Sequence, residues 1–309
     1  MGKDLKLTLL KLFNELKRNL EIPTFMNWAN ITSIHKKGSR LDMDNQRGIF
    51  GLSVFKKLAE YLLFEDLYGD INKGMSDSNI GGRKKRMAKD HLFVVYGIIN
   101  DVVNGKSTSI DIRVKDIEKA FDKLWLEETL NDLCDTISKQ KQNNKISLLY
   151  ELNRRTDVAI KSPAGLTERK TFEDVVQQGG SFGAILCSNS LDKPGKKMLV
   201  EEEEDEFTYK YKDSIKIPSL AYIDDLFEVS KCGLESLENN VSISNQIEMK
   251  RLNFNVGNEN KKSKCETMYV GKNTRKCFSL TVNEKVMKKE TKSHIWEMWY
   301  LPQLKMNKT

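Results

Sequence analysis

Two adjacent aspartates, Asp224 and Asp225, interrupt an otherwise mainly apolar stretch over residues 220–227. This pattern predicts a β-hairpin whose tight turn lies at or beside the aspartates. Adjacent carboxylates are unfavourable inside a strand, because like charges repel and aspartate has a low β propensity. A divalent cation removes that objection, since Mg²⁺ is held by one or two carboxylates together with substrate phosphates. A solvated turn explains the same residues equally well, so this stretch alone leaves both interpretations open.

A third carboxylate, Asp116, follows a stretch in which apolar and polar residues alternate over positions 110–115. This two-residue period predicts a strand that ends at Asp116. If Asp116 and Asp224 lie on neighbouring strands, they can share metal ions. Two metal ions roughly 3.5–4 Å apart activate one oxygen and stabilise the leaving oxygen of a phosphoryl displacement. A glycine-rich turn at Gln178 and the amine of Lys264 would add neutral and cationic contacts for a nucleotide.

The elements that must position these residues alternate between helices and strands. Periodicity predicts helices over residues 3–20, from Val54, from Asp90, from about Phe121, over 146–155, over 182–191 and from Leu234. It predicts strands over residues 28–35, 110–116, 158–161, 169–172 and 266–270, turns over 42–48 and 178–181, and a loop over 70–83. The pattern favours an α+β fold in one continuous unit of two subdomains.

Composition and charge limit the class of protein. The chain has 309 residues, a net charge of +7 and a pI near 8.9, which favours a polyanionic partner. Its five cysteines are scattered and form no CxxC pair, which argues against a disulfide framework and a zinc knuckle. No secretory signal is visible and the longest apolar run is too short to span a bilayer. We therefore predict an intracellular protein of the nucleus, the cytoplasm or both, without a membrane partner.

Six blocks in a fixed order, followed by a single lysine, resemble the reverse transcriptase domain of non-LTR (LINE-like) retrotransposons, over about residues 16–286. Residues 22–49 match the family's P…W…I…I-x-KKG…N-x-RGI opening, 56–60 its K-x-x-E helix, 82–90 its GxRxxR…D segment, and 116–122 the DxEKAFD form of polymerase motif A. Residues 178–183 match motif B, 222–225 (Tyr-Ile-Asp-Asp) motif C, and Lys264 resembles the motif D lysine. The ordered set is far more specific than any one motif.

The resemblance implies an α+β right-hand polymerase with an antiparallel palm sheet covered by helices. The fingers would span residues 1–109 and the palm 110–285, with a fingers-type insertion over about 123–174. Residues 286–309 would begin a truncated thumb or form a tail, so the thumb is expected to be largely absent. No endonuclease module and no Cys/His knuckle are visible, and we expect a fragment or a decayed copy that carries the polymerase core.

The resemblance also assigns catalytic and metal-binding roles. Asp116, Asp224 and Asp225 would be the catalytic carboxylates and would bind two Mg²⁺ ions, with Mn²⁺ as an alternative ion. Asp225 would be a supporting ligand, because a regular strand turns its side chain to the face opposite Asp224.

Five further residues would contact the nucleotide. Arg47 would bind the triphosphate, and Phe121 would clash with a ribose 2′-hydroxyl and so favour dNTPs. Gln178 and Gly179 would line the nucleotide and the template, and Lys264 would protonate or neutralise pyrophosphate. Each residue also has a plain structural interpretation: an exposed turn arginine, a core aromatic, an ordinary turn, and a surface lysine. The loop over 255–262 is longer than usual for the family, which leaves the position of Lys264 open.

A basic cluster would contact the template backbone through salt-dependent, sequence-independent interactions. It consists of Arg83, Lys84, Lys85 and Arg86, and it also fits a nuclear-import patch or a solvated helix start. The predicted function is that of an RNA-directed DNA polymerase, with an RNA template, a DNA primer and dNTPs as partners. The alternative is a catalytically inactive retroelement remnant that acts as a nucleic-acid-binding or interaction module. The sequence leaves the oligomeric state open.

Overall fold

The chain divides into two compact units, each built from two separate segments. The computed structural model describes residues 2–36, 38–137, 143–200, 210–211, 215–217, 219–231, 247, 250–257 and 263–271, and three two-residue strands beyond them. The first unit contains Met1–Met75 and Lys119–Ser190, and the second contains Ser76–Glu118 and Leu191–Thr309. The boundaries of these units do not coincide with the predicted ranges 1–109 and 110–285. The assignment of those ranges to fingers and palm stays a prediction.

The described elements are seven α-helices, fourteen strands and two short 3-10 helices, Thr24–Met26 and Met43–Asn45. The helices are α1 (Lys3–Asn19), α2 (Val54–Gly74), α3 (Ala88–Val103), α4 (Ala120–Lys123), α5 (Leu126–Thr136), α6 (Asn143–Asn153) and α7 (Gly183–Val200). The strands are β1 (Trp28–His35), β2 (Gln46–Leu52), β3 (Ile110–Asp116), β4 (Arg155–Ser162), β5 (Gly165–Leu166), β6 (Lys170–Glu173), β7 (Lys210–Tyr211), β8 (Ile215–Lys216), β9 (Ser219–Tyr222), β10 (Asp225–Lys231), β11 (Glu266–Val270), β12 (Thr281–Val282), β13 (Lys285–Val286) and β14 (Lys288–Lys289).

The first unit combines a five-stranded sheet with helices. Its strand order is β2-β1-β4-β5, with β6 also paired to β4, and β1 runs parallel to β4. Ala29, Leu52 and Val158 form a small buried cluster on this sheet. Helix α2 buries Leu67 and Ile71 completely, and it contacts both α5 and α6. Full burial of one such side chain stabilises a fold by about 1.5–3 kcal/mol, so these apolar positions fix α2 in the unit.

The second unit is organised around β3. Its sheet has the order β14-β11-β3-β10-β9, and β3 runs antiparallel to both β10 and β11. Alternate residues of these three strands share one face, as the two-residue period of a strand requires. With Ile98 and Val102 of α3 they form the main core of the unit, which contains Ile110, Ile112, Val114, Phe227, Val229, Met268 and Val270. The predicted α+β class is therefore confirmed.

Several predicted elements match the structure and others differ in their bounds. The predictions for α1, β1, β3 and β11, and for the hairpin of β9 and β10, are confirmed. The loop predicted from residue 70 begins later, because Ile71 is buried and α2 continues to Gly74. The turn predicted over 42–48 is shorter: β2 begins at Gln46, and Arg47 pairs opposite Ile34 of β1.

The helix predicted from about Phe121 is split into α4 and α5. The backbone of Leu124 is extended, with ψ 124°, and the neighbouring Trp125 forms an isolated bridge with Val175. The acidic run over 201–206 falls outside the described residues, as does the helix predicted from Leu234 to Ile247 except for Ile247 itself. Among the described helices, none is both long and apolar enough to cross a lipid bilayer.

Candidate functional site

Two predicted site residues lie directly opposite each other in the second unit. The antiparallel register of β3 and β10 pairs Asp225 with Asp116. Residues paired in this way point to the same face of a sheet, with Cβ atoms about 4.5–5.5 Å apart. Asp116 is the last residue of β3 and Asp225 is the first residue of β10. Apolar residues of both strands are held in the core. The fold therefore brings two like charges side by side at one edge of the sheet.

The third carboxylate, Asp224, lies in the turn that joins β9 to β10. Tyr222 pairs with Asp225, which leaves Ile223 and Asp224 as a two-residue turn. Ile223 has a φ of +59°, a left-handed conformation that is rare for a β-branched residue and strained for any L-residue. Tight two-residue turns require positive φ and usually contain Asn or Gly. Such an outlier supports a functional role for the turn, since backbone strain is concentrated at functional sites.

The three carboxylates act on one another electrostatically. Burial, together with the smaller effects of the negative charges of Asp224 and Asp116, raises the pKa of Asp225 to about 6. Lys264 acts against this shift but does not cancel it. Burial and the neighbouring like charges therefore make ionisation of Asp225 unfavourable in the folded protein.

Lys264 and Asn255 both contact Asp116. The amine Nζ of Lys264 lies 2.9 Å from Asp116 Oδ2, and Asn255 Nδ2 donates a hydrogen bond of 3.0 Å to the same oxygen. Backbone bonds hold this arrangement, because Asn255 N donates to Asp116 O at 2.8 Å and Lys264 N donates to Asn255 O at 2.9 Å. The side chain of Lys264 remains 52% exposed. Sequence reasoning named Lys264 but missed Asn255, which no motif singles out.

The opposite face of the same two strands carries a buried ionic group. Glu228 accepts from Arg113 Nε at 3.0 Å and lies 2.7 Å from Lys115 Nζ, and all three side chains are almost completely buried. Arg113 also donates to Ser230 Oγ at 3.0 Å, and Lys115 lies 4.9 Å from the ring centroid of Phe254. Burial lowers the pKa of Lys115, whereas the attraction of Glu228 raises it. The only hint of this ionic group in the sequence of β10 is Glu228, an acidic residue among mainly apolar neighbours.

Segment 78–80 supports the hairpin from its other side. Ala221 N donates to Ser78 O at 2.7 Å, and Ile80 N donates to Ala221 O at 3.2 Å. Both bonds extend the sheet beyond β9, so the strand that leads into the strained turn has partners on both edges. A recess beside this contact is lined by Asn79, Asp192 and the aspartates of the turn.

The predicted nucleotide residues Gln178 and Gly179 belong to the first unit, where they pack against β2. Phe50 N donates to Gln178 O at 3.0 Å. Gly179 has a φ of +124°, and a Cβ at this position would lie 2.7 Å from Phe50 O. Only glycine allows this close backbone approach without a shift.

Arg47 and Phe121 belong to the same unit. Arg47 is exposed on β2, and Phe121 is half-buried in α4. The Phe121 ring atom Cε1 lies 3.7 Å from the place that a Cβ of Gly183 would occupy. This contact with the start of α7 fits a packing role, and the role of Phe121 at the sugar stays a prediction.

The predicted basic cluster is only partly on the surface. Arg83 is buried, and its guanidinium donates to Ser76 O at 2.7 Å and to Asn79 O at 3.1 Å. The guanidinium of Arg83 therefore holds the backbone of the protein itself. Arg86 pairs with Asp77 at 3.2 Å. The exposed members of the cluster are Lys84, Lys85 and Arg86.

The carboxylates fit a magnesium ion better than a closed metal cage. Within the described residues, no three or more His, Cys, Asp or Glu side chains are arranged as a ready metal cluster. Asp116, Asp224 and Asp225 nevertheless supply hard oxygen donors at neighbouring positions of β3, the turn and β10. Mg²⁺ suits such an open set, because it keeps waters and takes its remaining ligands from substrate phosphates.

No protein-family model matches the sequence, and no curated protein matches it either. Solved structures are similar in fold. Apo telomerase from Candida tropicalis, truncated from the C-terminal domain, matches with a TM-score of 0.55 and 13% identity over 92% of this chain and 60% of that one. Apo telomerase from the same species matches with a TM-score of 0.57 and 12% identity over 93% and 54%. Telomerase from Candida albicans, in complex with a TWJ fragment of telomeric RNA, matches with a TM-score of 0.54 and 12% identity over 89% and 49%.

The chain has a reverse transcriptase-like fold. At 12–13% identity these matches show the fold alone, and the chain spans between about half and three-fifths of the length of these structures. The coarse expectation of a reverse transcriptase-like domain is confirmed. The closer resemblance to non-LTR retrotransposons stays a prediction.

Proposed function

We propose that this chain is the core of an RNA-directed DNA polymerase that adds dNTPs to the 3′-hydroxyl of a primer. One observation carries the proposal: Asp116 lies directly opposite Asp225, beside the strained turn that holds Asp224, on a reverse transcriptase-like fold. Grouped carboxylates at strand ends supply the oxygen ligands that metal-dependent phosphoryl transfer needs. The raised pKa of Asp225, which reflects its burial and the like charges beside it, supports this use over a purely structural one.

In this proposal Asp116, Asp224 and Asp225 hold two Mg²⁺ ions, with Mn²⁺ as an alternative. Bound metal ions would lower the pKa of the attacking hydroxyl and take up charge on the leaving pyrophosphate. Lys264, whose amine is half-exposed beside Asp116, is suited to neutralise a phosphate that enters the site. Asn255 would hold the Asp116 carboxylate in its orientation.

The proposed partners are an RNA template, a DNA primer and dNTPs. A solved structure of the same fold was determined with an RNA fragment, which supports RNA as a partner class. The exposed Lys84, Lys85 and Arg86 would contribute contacts to phosphates. In the first unit, Arg47 would bind the triphosphate, Gln178 and Gly179 would contact the nucleotide and template, and Phe121 would discriminate against ribose.

Primer extension tests the proposal. The assay measures dTTP incorporation on poly(rA) primed with oligo(dT), with Mg²⁺, for the wild type, Asp116→Asn and the control Asp101→Asn on α3. We expect Asp116→Asn to lower the rate by roughly 10³-fold or more, because it removes several kcal/mol of transition-state stabilisation. Asp101→Asn should extend at the wild-type rate. Template affinity, measured by fluorescence anisotropy, should be equal in all three proteins.

A second candidate function is a catalytically inactive nucleic-acid-binding module. Its support is that Lys264 and Asn255 both donate to Asp116 Oδ2, so the protein itself occupies that oxygen. If the wild type is as inert as Asp116→Asn while both bind template, the polymerase proposal fails and the binding module is the better conclusion.

A further inference from the structure

Helix α2 buries two charged residues one helical turn apart in the first unit. Lys56 is 0% exposed and Glu60 is 1% exposed, on a helix that otherwise buries leucine, isoleucine, alanine and phenylalanine. Burying charge is unfavourable unless each group finds partners, and apolar side chains of similar size are often equally stable there. The partners of both residues lie at the turn that contains Gln178.

Lys56 fixes the residue that precedes Gln178. Its Nζ donates to Gln177 Oε1 at 3.0 Å and to Thr156 Oγ1 of β4 at 3.2 Å. Gln177 in turn donates through Nε2 to the same threonine oxygen and to Asn153 O. The amide of Gln177 is therefore held by α2, by β4 and by the end of α6.

Glu60 fixes the residues that follow Gln178. Its Oε2 accepts a hydrogen bond of 2.9 Å from Ser181 N. A Cβ at Gly180 would lie 2.8 Å from the same oxygen, so the carboxylate packs closely against the backbone of the turn. The charge of Lys56 and the bond from Ser181 both favour the ionised form of Glu60, against the larger effect of burial, which raises its pKa.

The middle of the turn is attached to β2. Phe50 N donates to Gln178 O at 3.0 Å, and Gly179 passes close to Phe50 O. The backbone is thus held before, at and after Gln178. The Gln178 side chain is half-buried, and its amide makes no hydrogen bond with another described residue. A fixed backbone that carries a side-chain amide without a described partner is the arrangement expected for a ligand contact.

We infer that Lys56 and Glu60 are positioning residues, which hold the turn over 177–181 so that the Gln178 amide contacts the paired nucleotide and template base. The inference rests on the proposed function for the identity of the ligand. The role of Lys56 and Glu60 in fixing the turn stands on the contacts alone. Neither residue touches the substrate in this account, so their loss changes nucleotide binding rather than the chemical step.

The test compares Lys56→Met with Lys57→Met in the full chain. Lys57 is the exposed neighbour on the same helix, so its substitution removes a positive charge near Glu60 without removing a hydrogen bond to the turn. Hydrogen exchange, followed by mass spectrometry, reports the turn without any substrate. We expect amide exchange over 177–181 to accelerate about tenfold or more in Lys56→Met, because a buried hydrogen bond from a charged group is lost. Lys57→Met should match the wild type.

Steady-state kinetics of primer extension gives the second readout. Lys56→Met should raise KM for the dNTP about tenfold and change kcat less than about threefold, the pattern of lost binding that is uniform along the reaction. Glu60→Gln keeps an oxygen that accepts from Ser181 N, so it should retain slow exchange over the turn and a near-normal KM. Glu60→Ala should resemble Lys56→Met. If Lys56→Met does not fold, the Glu60 pair decides the question.

The outcomes separate this inference from the proposed function. If the wild type does not extend primers, the polymerase proposal fails, and exchange over 177–181 still decides whether Lys56 and Glu60 hold the turn. The inference is overturned if exchange over the turn is unchanged in Lys56→Met or Glu60→Ala. It is also overturned if exchange accelerates across the whole first unit, or if an active Lys56→Met enzyme keeps its KM.

Discussion

The two faces of the β3–β10 ladder carry charge in opposite ways. On one face, Glu228 lies within 3.0 Å of both Arg113 and Lys115, and the group is buried. On the other face, Asp116 and Asp225 are paired side by side with Asp224 in the adjacent turn. In this first group, called the balanced group below, every charged side chain lies within 3.0 Å of an oppositely charged one. The second group, called the unbalanced group below, places like charges side by side, and their effect on Asp225 outweighs that of the half-exposed Lys264.

This difference singles out the carboxylates as the group suited to a cation. A buried charge that serves only the structure must be compensated by the protein, since nothing else will reach it. A carboxylate group at the edge of a sheet can instead be compensated by a cation and by substrate. Ile223, whose φ is strained, lies in the turn beside the unbalanced group. Backbone strain and grouped like charges, both unusual in a hairpin, therefore occur at the same place.

The largest effect on stability should come from the balanced group. Glu228→Ala leaves Arg113 and Lys115 buried without their common partner, so we expect a loss of about 3–5 kcal/mol in the free energy of unfolding. Urea denaturation measures this loss. Glu266→Ala, on β11 of the same sheet, is the control and should change stability by less than about 1 kcal/mol. A loss for Glu228→Ala as small as the control would contradict the comparison.

Removing a charge from the unbalanced group should raise the free energy of unfolding, the opposite of the effect expected for the balanced group. The folded-state pKa of Asp225 is raised from 3.8 to about 6, so its ionisation destabilises the fold as the pH rises through that window. In chelator, above about pH 6, Asp225→Asn should stabilise the protein by up to about 3 kcal/mol. Below about pH 4 the gain should vanish, because the carboxyl is then protonated in both the folded and unfolded states. Urea denaturation across this pH range measures the gain. A gain of the same size at every pH would contradict the expectation.

The smallest effect concerns the turn. Ile223→Gly removes the strain of a left-handed β-branched residue, against a higher entropy of the unfolded chain, so the net gain in stability should be about 1 kcal/mol or less. Thermal unfolding measures it. Leu226→Gly, at an ordinary strand position of the same hairpin, should be destabilising. Equal losses for both variants would show that Ile223 is not strained.

Local patterns predicted much of this site from the sequence. The hairpin and the end of β3 could be predicted because alternation and turn residues act over a few positions. The direct pairing of Asp225 with Asp116 could not, because the register between strands far apart in sequence depends on how the whole sheet packs. The prediction instead coupled Asp116 with Asp224.

The missed residues share one property: their partners are distant in sequence. Arg113 and Glu228, and likewise Lys56 and Gln177, look like surface residues until the fold joins them. Asn255 reaches Asp116 only through a loop whose length made Lys264 hard to place. Arg47 was assigned to a turn because the alternation over 46–52 is weak, and only pairing with β1 defines the strand.

The most direct test of the central claim is whether the unbalanced carboxylates bind Mg²⁺. Thermal unfolding of the wild type, Asp225→Asn and Asp101→Asn should be followed with increasing Mg²⁺ at about pH 8, where Asp225 is ionised. We expect stabilisation of the wild type and Asp101→Asn by about 1.4 kcal/mol when Mg²⁺ reaches roughly ten times its Kd, and little change in Asp225→Asn. No Mg²⁺-dependent shift in the wild type, or an equal shift in all three proteins, would contradict it.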